Sequence, residues 1–337
     1  MHAARAEIKR NSMTKKQWII LISMLILFLG FIFCAPIIFT LPGKIDFTQT
    51  GQIGDTISGT MSPFIAIITA FLTFIAFYVQ YKANENQKEL LKKQENEIKA
   101  QKREQLIAQF ENELLQYIKA HRDNVSALTT STTIARKKIV VSGQDFLVTV
   151  MEMIHETYKE LKDKLPNRSN YDLIRAAYIF MYYGDTLWNN LEIKNRYSEY
   201  VNQETISAIK NKKTTIRLSQ DLYKYGFGIQ LSMVYRNLYN AYKYIKAVNI
   251  DEEFDKNKYN YGKKIRSNIS NIEQLLLFYN IITPLGDVWA SENIVIDFKL
   301  FKNILLQLAI AYSPVGWMQE QYYISDDDIN KYFEFYE

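Results

Sequence analysis

The residues with the most suggestive spacing for shared chemistry lie between positions 266 and 280. On an α-helix, intervals of three and four residues keep five of them within about 40° of one line: Arg266, Ser270, Glu273, Leu277 and Asn280. The other positions of this segment are mostly apolar, so the pattern predicts one buried helix over Tyr259–Thr283 with a mostly polar stripe. Such a stripe must face either a partner helix or a cavity.

Two interpretations of the stripe stay open at this point. Arg236, within the apolar segment Ser232–Ile245, is the expected ion-pair partner of Glu273. In the first interpretation the stripe is a buried interlock that fixes two helices in register. In the second it binds a ligand or an effector. Glu273→Gln should destabilise the fold in the first case, and abolish activity at an unchanged melting temperature in the second.

The remaining polar residues do not form a recognisable catalytic or metal-binding set. No P-loop, GxGxxG, HExxH or GxSxG motif occurs. His121 and His155 each lack a second His or Cys at ligand spacing, so we interpret them as surface or boundary residues. Asp326–Asp328 follows Ser325 and is typical of the acidic first turn of a helix. We therefore expect no catalytic residue, no metal and no cofactor.

A helical ribonuclease of the toxin type is the enzymatic alternative. Such enzymes carry an Arg followed four to six residues later by a His, but Arg236 and Arg266 are followed by Asn240 and Asn271 instead. Cleavage of RNA near neutral pH would then lack its usual imidazole. Positive charge is also not gathered into one nucleic-acid track, so nucleic acid is a less favoured partner.

Two uncharged apolar stretches, Trp18–Leu41 and Met61–Tyr81, determine the expected architecture. At ~1.5 Å per residue, each can cross a hydrocarbon core of ~30 Å as a helix. The net charge of +5 and the hydrophobic content of 48% are ordinary, because the apolar stretches and the polar remainder offset each other. The sequence predicts transmembrane helix 1 at 18–41, a short external loop at 42–60 and transmembrane helix 2 at 61–82, all in contact with the lipid bilayer.

The charges flanking this hairpin predict its orientation. The N-terminal tail, residues 1–17, holds five Lys or Arg against one Glu, and basic residues again follow Lys82. The link between the spans holds Lys44 alone, with Asp46 and Asp55. By the positive-inside rule, both termini are cytoplasmic and the protein is a multi-pass component of the bacterial inner membrane. The single cysteine, Cys34, lies in the first stretch, so no disulfide can form within one chain.

The link ends in a small, polar segment with two interpretations. Ser62-Pro63 is typical of a helix N-cap followed by proline at the first helical position. In the first interpretation, the segment before it is a solvated turn. In the second it has a function, either as a site of close packing between helices or subunits or as a sensor loop. The packing interpretation assigns membrane-hairpin contacts, and a homo-oligomer, to Gly54, Asp55, Gly59 and Pro63.

Beyond the second span, the sequence predicts a juxtamembrane stalk helix at 83–120. It lacks Pro and Gly, and its heptad through Leu91 and Ile98 places Gln at other core positions, which makes a poor coiled-coil seam. After Leu106 an apolar stripe appears, so the second half should dock on the soluble domain. The stripe comprises Ile107, Phe110, Leu114, Tyr117 and Ile118.

The domain at 121–337 should be a cytoplasmic, nearly all-α fold. Only Lys137–Val141 and Ile294–Ile296 have the character of strands, and Val125–Thr133 that of a loop. Helical periodicity marks Gly143–Leu165, Tyr171–Tyr183, Leu187–Tyr200, Ser219–Val248, Tyr259–Thr283 and Phe298–Tyr312. Gly226 and Gly228 are the points at which Ser219–Val248 could be interrupted.

Four blocks of the sequence resemble one bacterial protein family. The block GQIGDTISGTMSPFIAIITAFLTFIAFYVQYKANENQ resembles the second membrane span of the putative phage abortive infection (AbiC-like) proteins. VYRNLYNAYKYI, around Arg236, is similar to their Tyr-Phe-Arg-x-Leu-Tyr block, and RSNISNIEQLLLFYN to their Arg-x-x-Leu-Ser-x-x-Glu block, with Ile269 in place of Leu. GQDFLVTVMEMI resembles a Gly-Arg-x-Phe element, with Gln144 at the arginine position.

The resemblance implies a membrane-anchored defence protein that limits phage propagation, usually at the expense of the infected cell. It supplies no catalytic residue. A cytoplasmic domain held by a hairpin could bind a phage or host protein and act at the membrane. The further alternative is a membrane scaffold that has no role in defence.

Overall fold

The computed structural model describes residues 53–134, 137–210 and 224–334, with eight separate positions between Ile19 and Ile37. The chain divides into two compact units, Met1–Ile98 and Lys99–Glu337. The described elements are α1 (Ile53–Ala127), β1 (Thr129–Ile134), β2 (Lys137–Ser142), α2 (Gln144–Lys164), α3 (Asn170–Tyr183), α4 (Thr186–Asn189), α5 (Leu191–Arg196) and α6 (Gln203–Lys210). They continue with α7 (Gly228–Ala247), α8 (Glu252–Arg266), α9 (Asn271–Ile281), α10 (Val288–Ser291), α11 (Ile294–Asp297), a 3₁₀ turn (Leu306–Leu308), α12 (Pro314–Tyr322) and α13 (Asp326–Ile329).

The N-terminal unit contains the start of α1, which begins earlier than the sequence predicts. The helix starts at Ile53, so residues 53–60 are helical rather than a loop, and Pro63 lies inside the helix rather than at its first position. Asp55 in the first turn interacts favourably with the helix dipole. Pro63 removes only one backbone hydrogen bond, and helices in apolar surroundings tolerate this. Residues 42–52 of the predicted loop lie outside the described residues.

The apolar part of α1 is long and hydrophobic enough to cross a membrane. Its best 18-residue window has a mean hydropathy of 2.1, and none of that window is buried. The rings of Phe71, Phe74 and Phe77 are exposed along it. The hydroxyl of Thr69 donates to the Ile65 carbonyl at 2.8 Å, and that of Thr73 to the Thr69 carbonyl at 2.6 Å. These polar groups are therefore satisfied inside the helix, as a hydrocarbon environment requires.

The first apolar stretch is described at eight positions, and all eight are helical. Phe31 packs edge-on against Phe64 of α1, with ring centroids 5.8 Å apart. Met61 is buried, although most of the apolar residues around it are exposed. The other residues of Trp18–Leu41 lie outside the described part of the chain.

The predicted helix over residues 83–120 is confirmed as part of α1. Leu91 and Ile98, the apolar positions of the poor heptad, are exposed. Within the second unit, Phe110 and Leu114 are buried, and the other three residues of the predicted stripe pack against the core. Phe110 contacts Phe254 and Tyr261 with ring centroids 4.8 Å apart, so the docking prediction is confirmed.

The second unit is mostly helical, as predicted, and its best-predicted helices are α2 and α3. Both have strong apolar periodicity, and Pro166 and Gly184 follow their ends. Gly184 adopts a φ of 55°, which a glycine reaches without strain. The hydroxyl of Ser169 caps α3 by accepting a hydrogen bond from the Asp172 amide at 3.1 Å. The acidic first turn after Ser325 is also confirmed, as α13.

Several predicted boundaries are wrong. The predicted loop Val125–Thr133 contains the end of α1 and most of β1. Strand β1 pairs antiparallel with β2, with Thr129 opposite Ser142 at one end and Ile134 opposite Lys137 at the other. Leu187–Tyr200 is broken into α4 and α5, because the Asn190 side chain caps α5 by accepting from two amides. Within Ser219–Val248, by contrast, the interruption expected at the glycines is confirmed, since the described part breaks at Gly226, whose φ is 70°, and α7 begins at Gly228.

Two short segments also differ from their predicted type. Ile294–Ile296 lies in the short helix α11 rather than in a strand, since no neighbouring strand is present among the described residues. Phe298–Tyr312 is a series of turns with one 3₁₀ turn rather than a helix. Lys299 within it has a φ of 49°, which ends any regular helix there. Its apolar side chains nevertheless fill the core.

The core lies where α2, α3, α7 and α9 meet the last part of α1. Helix α9 is the most enclosed element, since all residues from Glu273 to Ile281 are buried. This arrangement places the polar residues of α9 in the interior of the domain.

Candidate functional site

The predicted single helix over Tyr259–Thr283 is two helices, and this changes the stripe. The chain leaves α8 after Arg266 and re-enters a helix at Asn271. Ser270 is the N-cap of α9, and its hydroxyl accepts a hydrogen bond from the Glu273 amide at 3.2 Å. The Glu273 carboxylate accepts in return from the Ser270 amide at 2.6 Å, which completes a capping box. Arg266 and Glu273 therefore do not share a helix face.

Glu273 belongs to a group of polar side chains enclosed in the core, which we call the buried polar node: His121, Tyr178, Tyr235, Glu273 and Asn280. His121 Nε2 lies 3.3 Å from Glu273 Oε1, and both side chains are at most 6% exposed. The Tyr178 hydroxyl donates to the Tyr235 hydroxyl at 3.3 Å. The node thus joins α1, α3, α7 and α9 through polar contacts.

His121 is buried, so the prediction that it is a surface or boundary residue is wrong. Its burial follows from the docking of α1 against α7 and α9, which the sequence of α1 alone does not specify. The imidazole is close enough to Glu273 for an ion pair, but it is not aligned for a hydrogen bond, and neither ring nitrogen has a hydrogen-bond partner among the described residues. Two cavities of about 10 Å³ each border the ring, and each has room for about one water molecule.

The tyrosines of the node are held in their neutral form. Burial raises the pKa of Tyr178 well above its usual value, and the neighbouring Tyr235 raises it further. Burial also raises the pKa of Tyr235, and the carboxylate of Glu273 acts in the same direction. The node is closed to solvent, so it stabilises the contact between helices and cannot admit a substrate without opening.

Arg236 is not the partner of Glu273, and this part of the prediction is wrong. Arg236 lies on an exposed face of α7, whereas Tyr235 beside it points into the core. The apolar character of Ser232–Ile245 concealed this, because apolar residues also occupy an exposed position there, Met233, and half-buried ones, Tyr239 and Tyr244. His155, by contrast, is a boundary residue as predicted, and its Nε2 lies 3.1 Å from the Tyr279 hydroxyl.

Arg266 and Ser270 instead line an open pocket of about 420 Å³ between α8, the start of α9 and the turns after Phe298. We call it the basic pocket. Its charged lining consists of Lys263, Arg266 and Lys302 against one carboxylate, Glu334. Within the described part of the chain, neither Lys263 nor Lys302 forms an ion pair. The side chains therefore give the pocket an excess of positive charge.

Arg266 is the most buried of these cations, at 2% exposure. Its guanidinium donates to the carbonyls of Phe298 at 2.6 Å and Lys299 at 3.0 Å, and to the Asn303 side chain at 2.8 Å. No carboxylate among the described residues lies within ion-pair distance of it. Neutral acceptors thus satisfy the hydrogen bonds of Arg266. No described carboxylate is close enough to balance its positive charge.

The cations around the pocket also act on the hydroxyl of Tyr259. Burial raises the pKa of this hydroxyl, but Arg266, Lys302 and Lys299 favour the anionic form and together lower the pKa below 10.0. Burial alone would have the opposite effect. Tyr259 therefore indicates that this part of the surface favours negative charge.

Gln274 supplies the pocket with a polar group that lacks a partner. It lines the pocket and is 3% exposed. Its Nε2 donates to the Ile269 carbonyl at 3.3 Å, whereas its Oε1 is inaccessible to solvent and has no hydrogen-bond partner among the described residues. A buried acceptor without a donor costs free energy, about 1–3 kcal/mol.

The predicted contact residues of the membrane hairpin are only partly described. A Cβ placed on Gly59 would meet nothing within 4 Å, and Asp55 is exposed. Gly59 therefore makes no close packing contact with another described part of its own chain. No metal-binding group of His, Cys, Asp or Glu occurs among the described residues.

Comparison with protein families matches a segment that contains part of both sites. Residues 229–307 match the family model described as "Putative phage abortive infection protein". The match covers these residues alone, and it agrees with the family that the blocks around Arg236 and Arg266 resemble. It spans α7 through the 3₁₀ turn, and so includes three members of the node together with Arg266, Gln274 and Lys302. Comparisons with curated proteins and with solved structures give no significant match.

Sequence reasoning missed several residues of both sites. His121 and Tyr178 come from helices outside the matched segment, so no local pattern connects them to Glu273. Lys302 meets Tyr259 and Lys263 of α8 only because the chain turns after Phe298. The capping box was detectable, since Ser270 followed three residues later by Glu273 is its sequence signature.

Proposed function

We propose that this chain is a membrane-anchored anti-phage protein of the abortive infection type. Its helical domain lies in the cytoplasm, senses or binds a phage or host factor, and acts at the inner face of the membrane. The observation that carries the proposal is the family match over residues 229–307. The family description names a role in phage abortive infection, and the matched segment contains α9, whose residues from Glu273 to Ile281 are all buried.

Membrane anchoring is supported by the exposed apolar face of α1 and by its internally satisfied threonine hydroxyls. The contact between Phe31 and Phe64 supports a hairpin in which the first apolar stretch packs beside α1. The basic residues outside both apolar stretches favour cytoplasmic termini in the bacterial inner membrane. No described part of the chain lies within 4 Å of a Cβ placed on Gly59, and this open space would allow a second copy of the chain to approach closely, which supports a homo-oligomer.

A binding role fits the described part of the chain better than ribonuclease activity. His121, which lies within ion-pair distance of Glu273, is enclosed in the core, and Arg236 lies on the exposed side of α7. These two residues cannot act together on an RNA strand in this conformation. The basic pocket, in contrast, is open and lacks the imidazole that general acid–base cleavage requires.

Phage plaquing tests the proposed function. Isogenic bacteria that carry either the full chain or an empty vector would be infected with a broad phage panel. We expect fewer plaques for some phages, together with poor survival of infected cells at high multiplicity. Unchanged titres across the panel would refute the defence role. RNA integrity after infection tests the ribonuclease alternative. Intact cellular RNA in cells that restrict the phage would contradict that alternative.

A reporter fused after Glu337 tests the orientation. Activity of a cytosolic reporter is expected in intact cells. Efficient labelling of the fused segment from the outer face would contradict the proposed topology without bearing on the plaque assay.

A further inference from the structure

The basic pocket has the composition of a ligand site rather than of an ordinary surface cleft. Its volume of about 420 Å³ falls within the range of about 300–1,000 Å³ that is typical of sites for small molecules. It combines an excess of cationic side chains with a buried side-chain oxygen, Gln274 Oε1, that has no donor within the described residues. These two observations are independent, because the first concerns charge and the second an unsatisfied neutral acceptor.

From these features we propose that the basic pocket binds a phosphate ester that also carries hydroxyl or amino groups. Lys302 and Lys263 would contact the phosphate, since both are available in the described structure and a phosphate oxygen accepts charge-assisted hydrogen bonds from ammonium groups. Gln274 Oε1 is closed to solvent in this structure, so the Gln274 side chain would have to rotate toward the pocket; a hydroxyl or amino group of the ligand would then donate to this oxygen. Inorganic phosphate alone would satisfy only the first requirement.

The pocket is also partly preorganised. Arg266 is fixed by three acceptors, so it contributes positive potential without having to change its position. Asn303 is held between Arg266 and Glu334, and Asn271 accepts from the Leu305 amide at 3.1 Å. Glu334 is exposed at the pocket and opposes an anion. We expect Glu334→Gln to strengthen binding, because it removes this repulsion.

Two sources of this chemistry are distinguishable: a soluble nucleotide or sugar phosphate, and the glycerophosphate headgroup of an anionic lipid. Binding would be measured on the purified full chain in neutral detergent by equilibrium dialysis. The probes are AMP, GMP, CMP, UMP, sn-glycerol 3-phosphate and inorganic phosphate. A parallel measurement uses nanodiscs of phosphatidylcholine with or without phosphatidylglycerol.

Two variants test the pocket, and a third serves as their control. Lys302→Gln should weaken binding about tenfold, because it removes one charge-assisted contact. Gln274→Leu should weaken binding of the esters but not of inorganic phosphate, and should not lower the melting temperature of the free protein. Lys159→Gln is the matched control, since Lys159 is an exposed residue of α2 outside the pocket and the change in net charge is the same.

Binding of a mononucleotide that responds to Lys302→Gln and Gln274→Leu but not to Lys159→Gln would support the proposal with a soluble ligand. The same response for glycerol phosphate alone, with competition by phosphatidylglycerol, would support the lipid source. Failure of every probe to bind at millimolar concentration would overturn the proposal. It would also be overturned by equal binding of inorganic phosphate, or by equal effects of all three variants. None of these outcomes depends on phage restriction, so the result is separate from the plaque assay.

Discussion

The most informative single substitution is Glu273→Gln, because the two interpretations of the polar stripe predict different results for it. The carboxylate accepts a short hydrogen bond from the Ser270 amide and lies 3.3 Å from His121 inside the core. Glutamine keeps the shape and one acceptor but removes the charge. Our account assigns Glu273 to a structural node, so the change should destabilise the fold.

The magnitude follows from the contacts that are weakened. A hydrogen bond to a charged group contributes about 1.5–3 kcal/mol, whereas a neutral one contributes about 0.5–1.5 kcal/mol. A negative charge in the first turn of a helix adds about 0.3–1 kcal/mol, and Glu273 occupies that turn in α9. We therefore expect a loss of about 1.3–2.5 kcal/mol in the free energy of unfolding. For a domain of this size the melting temperature should fall by about 3–10 °C.

Thermal unfolding of the full chain in detergent, followed by tryptophan fluorescence, measures this effect. Trp289 and Trp317 are buried in the domain and should report its unfolding. Glu156→Gln is the control, because Glu156 is exposed and its ion pair with Lys159 should contribute little. His121→Leu combined with Glu273→Gln should be non-additive, since each change removes the partner of the other. A melting temperature equal to that of the control, with loss of phage restriction, would refute the structural assignment and favour a functional role for Glu273.

Three further predictions follow from the described contacts. Gly262→Ala should destabilise the fold, because the added Cβ would lie 2.2 Å from the Phe298 ring. Gly316→Ala has open space around the added Cβ and should stabilise its helix by up to about 1 kcal/mol. Thermal unfolding of both variants measures this contrast, and equal effects on the melting temperature would contradict it. Arg266→Met should lower the free energy of unfolding by about 2–4 kcal/mol, because it leaves buried carbonyls without donors. It should also speed amide hydrogen exchange over residues 298–304. Unchanged exchange there would contradict the structural role of Arg266. Burial, with a smaller contribution from Lys159, lowers the pKa of His155, so the unfolded state takes up the proton first and stability should fall as the pH drops below about 6.5. His155→Gln should reduce the dependence of the melting temperature on pH in this range. An unchanged dependence would exclude His155 as its source.

The elements that could be predicted from the sequence are those whose local signals agree with one another. Helices α2 and α3 combine apolar periodicity with terminating residues, and α1 lacks Pro and Gly over residues 83–120. Strand β2 was recognisable from its β-branched residues, and the threonines of β1 carried the same signal, although a Ser/Thr-rich segment also suggests a loop.

The errors arose where local pattern and tertiary packing differ. Apolar periodicity continues through the break between α8 and α9, and only the capping box at Ser270 marks it. The segment Phe298–Tyr312 has enough apolar residues for a helix, yet it follows the core as turns that accept hydrogen bonds from Arg266. The contact between His121 and Glu273 joins residues that are far apart in the chain. No spacing rule could predict it.

The central claim, that this is an anti-phage protein that acts from the membrane, is tested most directly by moving its domain off the membrane. The apolar segment Met61–Tyr81 would be replaced by a polar helical sequence of equal length, together with the stretch Trp18–Leu41. Plaque counts would be compared at equal protein levels with those for the unmodified chain. We expect the unmodified chain to sediment with membranes and restrict phage, and the polar version to be soluble and inactive. Equal restriction by both, or sedimentation of neither, would contradict the account.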